Sequence, residues 1–472
     1  MRPGVQRRRS GAQICPRPPC VGASMRPNGC QPSVRRHERC GDGASKLTST
    51  KRKRHGSLLL ARIWVVPMTG SVIIVGAGHA GFQLAASLRQ AGFAERIALL
   101  NDEGHLPYQR PPLSKAYLKG TGGPETLMFR PDKFYQDNKI ELITDRAHAV
   151  DRNARKVALA SGTSLDYGHL VLATGARNRL LDIPNAKLDG VRYLRILDES
   201  QALRDLIAPG MRVVVIGAGF IGLEFAATAR AKGLEVDVVE LASRVMARAV
   251  TAEISEFSQS RHGAAGIRIH LGVQVTAIEA DGAKVTGVSL SNGTHIPADL
   301  VVVGVGVLPN VELAAEAGLP VASGIIVDEH LLTADPNVSA IGDCALYTSK
   351  RFGGSLRLES VQNATDHARC VASRLTGKTE VYDGLPWFWS DQGPDKLQMA
   401  GLTTGYDRVV VRGDRAQGAF SAFCYRGDRL LGIESVNRAG DHMFGRRLLG
   451  AGGSITPEQA ADASFDLKSA LA

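Results

Sequence analysis

A chain of 472 residues, 44% hydrophobic and 22% charged, is long and apolar enough to bury a large core and to divide into roughly two to four domains. Its formal net charge of +11 would by itself suggest nucleic acid or a membrane surface as partner. The charge is confined, however: 15 of the 57 Lys and Arg, but only Glu38 and Asp42 among the 46 acids, fall within residues 1–67. The rest of the chain carries a net of −2, which removes most of the electrostatic case for a nucleic-acid partner.

The leading segment 1–67 is rich in Arg, Pro, Gly and Ser, lacks apolar periodicity and reads as disordered. A targeting peptide, a basic arm and a zinc-binding tail are its functional readings. Cys15, Cys20, Cys30 and Cys40 lack the paired short spacing of a zinc site. Lys51-Arg52-Lys53-Arg54 before Ser57–Pro67 faintly mimics a signal peptide, but the apolar run is short and contains Arg62. The plainer alternative is a start assigned too far upstream, with Met68 the true beginning. No apolar run is long enough to span a bilayer, so a soluble, cytoplasmic protein without a membrane partner is expected.

From Ser71 the pattern is strand, turn, helix, strand. Val72-Ile73-Ile74-Val75 is a continuous apolar run, as expected of a strand buried on both faces. Gly76, Gly78 and Gly81 follow in G-x-G-x-x-G spacing, then a helix with Leu84, Ala85 and Leu88 on one side, then Ile97–Leu100. The order recurs at Val213–Ile216, Gly217, Gly219 and Gly222, a helix ending near Gly233, and Val236–Glu240. This is duplication of a functional unit, not a solenoid repeat. Further on, short β segments with an Asn292-Gly293 turn lead to Asp299–Gly304. Beyond about Leu385, alternating runs at Arg408–Arg412, Phe420–Tyr425 and Leu430–Glu434 indicate a separate α+β domain.

Each G-x-G-x-x-G carries a physical requirement. The first glycine makes the tight turn, the second admits a pyrophosphate to the backbone, and the third lets helix and strand pack closely, with the anion resting on the helix N-terminus. Two matches in the correct strand–helix context are far more specific than one. An acid ending the second strand should bind the adenosine ribose. Glu240 stands 23 residues after Gly217 and would repel a 2′-phosphate, favouring NADH over NADPH, although Arg244 and Arg248 lie nearby. In the first unit, Asn101 and Asp102 end the strand, and Asp102 is the better ribose ligand.

At this point a family becomes visible. Leu106–Lys115, Ala173–Gly175, Gly217–Glu224, Ile341–Ala345, Glu359–Ala364 and Pro386–Gln392 occur in that order. Together these motifs resemble the FAD-dependent ferredoxin–NAD(+) reductases of bacterial oxygenase systems, from about Ser71 to the C-terminus. Apoptosis-inducing factor shares the first half of the pattern. The resemblance implies an α/β fold with two Rossmann-like, glutathione-reductase-type nucleotide-binding domains and a C-terminal α+β domain. Residues 68–176 and 310–384 would bind FAD, 177–309 would bind NAD, and 385–472 would form the last domain.

It also implies roles for single residues. Ala80 and Asp102 would contact the FAD pyrophosphate and ribose, and Lys115 would lie near the flavin N5, paired with Glu224. Ala147 would touch adenine through its backbone, Arg195 would lie close to the flavin, Asp343 would bind the ribityl chain, and Val361 would sit by the pyrimidine edge. Arg110, Thr174, Gly175 and Gly306 complete the cofactor-binding set. Trp389 matches the aromatic position beside the ring, with Trp387 as the second choice. Lys115 near the ring would stabilise negative charge gained on reduction. Outside the resemblance, Lys115 and Glu224 would read as an ordinary surface lysine and a helix-face glutamate.

Missing chemistry narrows the electron acceptor. Disulfide reductases of this fold use a C-x-x-C or C-x4-C pair. Cys15 and Cys20 have the latter spacing but precede the first glycine loop, and Cys344, Cys370 and Cys424 are isolated. Cys344 reads as packing. His79 reads as a solvent-side loop residue, and no histidine pattern signals a metal. The sequence therefore predicts a reductase passing electrons from NADH through FAD to a [2Fe–2S] ferredoxin or rubredoxin, as a monomer or homodimer. A quinone or oxygen reductase, and an NADH-sensing flavoprotein like apoptosis-inducing factor, are the rivals.

Overall fold

A computed structural model describes residues 70–378 and 380–471. The basic leader, with its readings as arm, targeting peptide, zinc tail or misplaced start, lies outside the described residues.

Val72–Val75 pairs in parallel with Ile97–Leu100 on one side and His169–Leu172 on the other. Ile140–Ile143 and Val338–Ala340 extend the two flanks into a five-stranded parallel sheet. All residues of Val72–Val75 and Ile97–Leu100 are buried, which explains why these strands are continuous apolar runs rather than alternating ones. A second sheet repeats the order with Arg268–Leu271, Glu235–Glu240, Arg212–Ile216, Leu300–Val303 and Val191–Tyr193.

The duplication runs deeper than the glycine loops. In each unit a three-stranded antiparallel meander comes before the fourth parallel strand. Ala147–Asp151, Lys156–Leu159 and Ser164–Asp166 form the first, and Val275–Asp281, Lys284–Leu290 and His295–Pro297 form the second. Only the second announces itself in sequence, through Asn292-Gly293. The first turns at Arg155 and Gly162, both left-handed, and its strands are short and half exposed.

The two units are interleaved along the chain. The first sheet receives its edge strand Val338–Ala340 only after the whole second sheet has formed. Exit and return are tied by the antiparallel pair Ala176–Asn178 and Val307–Pro309. Beyond them a five-stranded antiparallel sheet begins with Trp387–Gln392 and Asp395–Gly401 and is backed by the helix Ala439–Gly450. Phe423, Ile433, Phe444 and Leu448 fill the space between helix and sheet. Leu397 and Phe420 of this sheet share one apolar cluster with Val213 and Leu223 of the second unit.

Candidate active site

The two glycine loops have nearly the same geometry. Gly76 and Gly217 adopt φ +107 and +103, and a Cβ on either would approach the Ala173 or Gly304 carbonyl to 2.4 or 2.5 Å. Gly81 and Gly222 are closed to any side chain, since a Cβ would lie 1.9 or 2.1 Å from the Gly76 or Gly217 carbonyl. Gly78 and Gly219 are different: a Cβ there would meet nothing within 4 Å. Bare backbone thus faces open space at the middle glycine of each loop, just where the helices His79–Gln90 and Phe220–Ala231 begin without a side-chain cap. Their free N–H groups and dipoles favour an anion.

Both loops open onto one cavity of about 1100 Å³. Gly76, Gly78, Ala80, Asp102, Arg110, Lys115, Thr174, Gly175, Asp343 and Val361 line it from the first unit and its return segment, and Arg195 from the loop after the strand Val191–Tyr193 of the second sheet. Gly217, Gly219, Glu224, Glu240 and Gly306 line it from the second, and Trp389 from the C-terminal sheet. Gly81 and Gly222 lie behind the loops as packing positions. Ala147, on a strand of the first meander, is not among the lining residues.

At the junction of the two units Lys115 Nζ stands 2.9 Å from Glu224 Oε1, with side-chain exposures of 19% and 5%. Ser114 Oγ donates to Glu224 Oε2 at 2.6 Å, and Ser390 Oγ donates to Oε1. The lysine is therefore not a free surface group. Truncating either partner would leave the other charge buried and uncompensated, at a cost of about 3–5 kcal/mol.

A second network holds the opposite wall. Arg195 donates through Nε to the Ala176 carbonyl at 2.7 Å and through Nη2 to Asp343 Oδ2 at 3.0 Å. Arg110 donates to the Arg195 carbonyl at 3.0 Å and pairs with Glu103, which also accepts from Tyr108 Oη. Glu103 is thus occupied, whereas Asp102 faces the cavity with only Arg146 at 3.8 Å. His79 also lines the cavity, edge-on to Phe129 at 4.9 Å, which corrects its reading as a solvent-side residue. Burial, then the charges of Arg110 and Arg195, lower its pKa to about 4, so it stands neutral in the cavity wall.

Glu240 is fixed by its own loop. Its Oε2 accepts from the Ala218 N–H at 2.7 Å and its Oε1 from the Ala242 N–H at 2.9 Å, so the carboxylate closes the strand end beside the second glycine loop. Arg244 is spent on the carbonyls of Ala247, Val250 and Thr251, while Arg248 lines the cavity. Trp389 also lines it. Trp387 stacks behind at 5.7 Å between ring centroids, with the Arg446 guanidinium 4.0 Å above its ring.

The described cysteines, Cys344, Cys370 and Cys424, are all buried and free. Burial raises each thiol pKa, that of Cys370 to about 11, so none is poised as a thiolate. Ser114, Ser390, Glu103 and Tyr108 are the site residues that motif reading leaves without a role. Ser114, Tyr108 and Ser390 lie inside recognisable motifs, but only the folded chain shows what their hydroxyls touch.

Residues 70–368 match the family model for pyridine nucleotide-disulphide oxidoreductases, and residues 387–471 match the reductase C-terminal model. The chain belongs to the pyridine nucleotide-disulphide oxidoreductase family. It is 52% identical over 403 residues to rhodocoxin reductase of Rhodococcus erythropolis, covering 85% of this chain and 94% of that protein. The crystal structure of the ferredoxin reductase for the CYP199A2 system from Rhodopseudomonas palustris superposes with a TM-score of 0.85 at 68% identity, covering 86% of this chain and all of that one. The reductase in the covalent putidaredoxin reductase–putidaredoxin complex superposes at 0.83 with 40% identity, over 85% of this chain and 98% of that chain. Within the family this protein is an oxidoreductase of the ferredoxin–NAD(+) reductase type, working with FAD and NAD(H).

Proposed function

We propose that the protein oxidises NADH and reduces a small iron–sulfur protein, a [2Fe–2S] ferredoxin or a rubredoxin, which supplies a P450 or Rieske-type oxygenase. The observation that carries this reading is the single cavity onto which two uncapped glycine-loop helices open, with no pair of reactive thiols among the described residues to divert the electrons. Relatives named for rhodocoxin, putidaredoxin and rubredoxin support the acceptor class.

Bound FAD supplies the conversion of a two-electron hydride into single electrons. The first unit, residues 68–176 with 310–384, is our assignment for FAD, 177–309 for NAD(H), and 385–472 for the C-terminal domain. The open space at Gly78 and the free N–H groups after it fit an anionic diphosphate. Lys115, Arg195, Asp343, Val361 and Trp389 are the residues we place against the flavin half. Asp102 takes the FAD ribose, Glu240 takes that of NADH, and Glu224 balances the charge of Lys115. No described helix is long and apolar enough to cross a membrane, and a cytoplasmic setting accords with use of NADH.

Steady-state reduction of cytochrome c by NADH, with and without added [2Fe–2S] ferredoxin, tests the reading. Saturable stimulation by ferredoxin is expected. Equal rates without it, or a preference for quinone or oxygen, would overturn the proposal.

A further inference from the structure

A line of buried hydrogen bonds ends on the Lys115–Glu224 pair. His262, on the helix Ala252–Ala264, meets Gln392 Oε1 through Nε2 at 2.9 Å. Gln392 Nε2 donates to Ser390 Oγ at 2.7 Å, and Ser390 Oγ donates to Glu224 Oε1. The exposures of His262, Gln392 and Ser390 are 4%, 6% and 0%.

The order of donors follows from valence. An amide nitrogen only donates, so Gln392 Nε2 fills the acceptor side of Ser390 and leaves the one hydroxyl proton for Glu224. The amide orientation is itself set: Glu224 takes the Ser390 proton, so Nε2 must face Ser390, where it also reaches the Phe220 carbonyl at 3.5 Å, and Oε1 is left toward the imidazole. His262 therefore carries its proton on Nε2. A glutamine in the middle cannot relay protons, so the line orients and does not conduct. Apolar side chains could fill this space at less desolvation cost, yet three polar ones stand in a line that ends on one carboxylate. The strand Trp387–Gln392 turns Trp389 to the cavity while its buried Ser390 and Gln392 serve the pair.

We infer that Ser390, Gln392 and His262 are positioning residues that aim Glu224 at Lys115 and share its charge, leaving the ammonium, held otherwise among the described residues only by the Pro111 carbonyl at 3.4 Å, directed at the cavity. This rests on the placement of Lys115 against the flavin. With the Ser390 proton removed, Glu224 holds Lys115 more tightly and the field in that corner becomes more negative, which disfavours the reduced cofactor.

The test is the midpoint potential of the FAD-loaded protein in Ser390→Ala, Gln392→Met, the double variant and Lys115→Gln, with the rate of reduction by NADH measured alongside. Each single change should lower the potential, and Ser390→Ala should slow reduction about tenfold, the scale of one hydrogen bond to a charged group. The double variant should go no lower than the lower single, because the two residues act in series. If Ser390→Ala fails to retain FAD, Gln392→Met alone carries the comparison. A lowered potential in Lys115→Gln, with the parent value kept in whichever of the other two is loaded, would overturn the positioning role alone. Additive shifts would overturn the series arrangement. No change in Lys115→Gln would overturn the placement of the flavin and this inference with it.

Discussion

Arg195 Nη2 and Asp343 Oδ2 stand 3.0 Å apart although 148 positions separate them in the chain. The ion pair bridges the loop after Val191–Tyr193, an edge strand of the second sheet, and the turn Gly342–Cys344 on the return to the first unit, so the interleaved topology is what builds this wall. Asp343 is then both a cofactor ligand in our reading and the counter-charge of a residue in the same pocket.

Asp343→Ala should therefore weaken FAD retention by about tenfold or more, the scale of one to two charge-assisted hydrogen bonds. The flavin-to-protein absorbance ratio after dialysis measures it. A fully loaded variant would contradict the role.

Glu240→Ala removes the carboxylate anchored by the Ala218 and Ala242 N–H groups. The KM for NADH should rise about tenfold and the preference over NADPH should narrow, since the repulsion of a 2′-phosphate goes with it. Unchanged selectivity in steady-state kinetics with both nucleotides would count against the ribose role.

His367 Nδ1 accepts from the Gly342 N–H at 3.2 Å, one residue before Asp343, and so must be unprotonated there. Burial lowers its pKa to about 3, and burial, then Arg374, does the same for His169. Both folded values lie below the unfolded value, so the unfolded state binds more protons between about pH 6.5 and pH 3. Stability should be full above pH 6.5 and fall by about 1.4 kcal/mol per pH unit for each histidine across that window. Thermal unfolding from pH 8 to pH 5 should show a falling Tm. His367→Asn, which keeps an acceptor without a titrating group, should flatten the slope; an unchanged slope would contradict the assignment.

Cys344→Ala removes the thiol nearest to Asp343. Because no electron is routed through sulfur, the rate of ferredoxin-dependent cytochrome c reduction should stay within about twofold, while the buried void lowers stability by about 1 kcal/mol. Loss of electron transfer with the flavin retained would establish a thiol role.

Much of this was legible in the chain. Two apolar strands followed by G-x-G-x-x-G fix strand, turn and helix by local sterics, and Glu240 follows at the distance the strand dictates. The family motifs supply Asp343 and the pairing of Lys115 with Glu224, but not the other groups these residues touch. The Arg195–Asp343 pair and the Ser390 contact to Glu224 depend on how distant segments return, which no local pattern encodes. The first meander stayed hidden because its half-exposed strands carry weak alternation. His79 reads as solvent-side in sequence because Phe129, which packs against it, comes fifty positions later.

The central claim is that electrons from NADH leave singly to an iron–sulfur protein. Anaerobic mixing of the FAD-loaded protein with one equivalent of NADH and excess oxidised [2Fe–2S] ferredoxin tests it most directly. Two ferredoxins reduced per NADH consumed is the predicted result. NADH consumed without ferredoxin reduction would contradict the account.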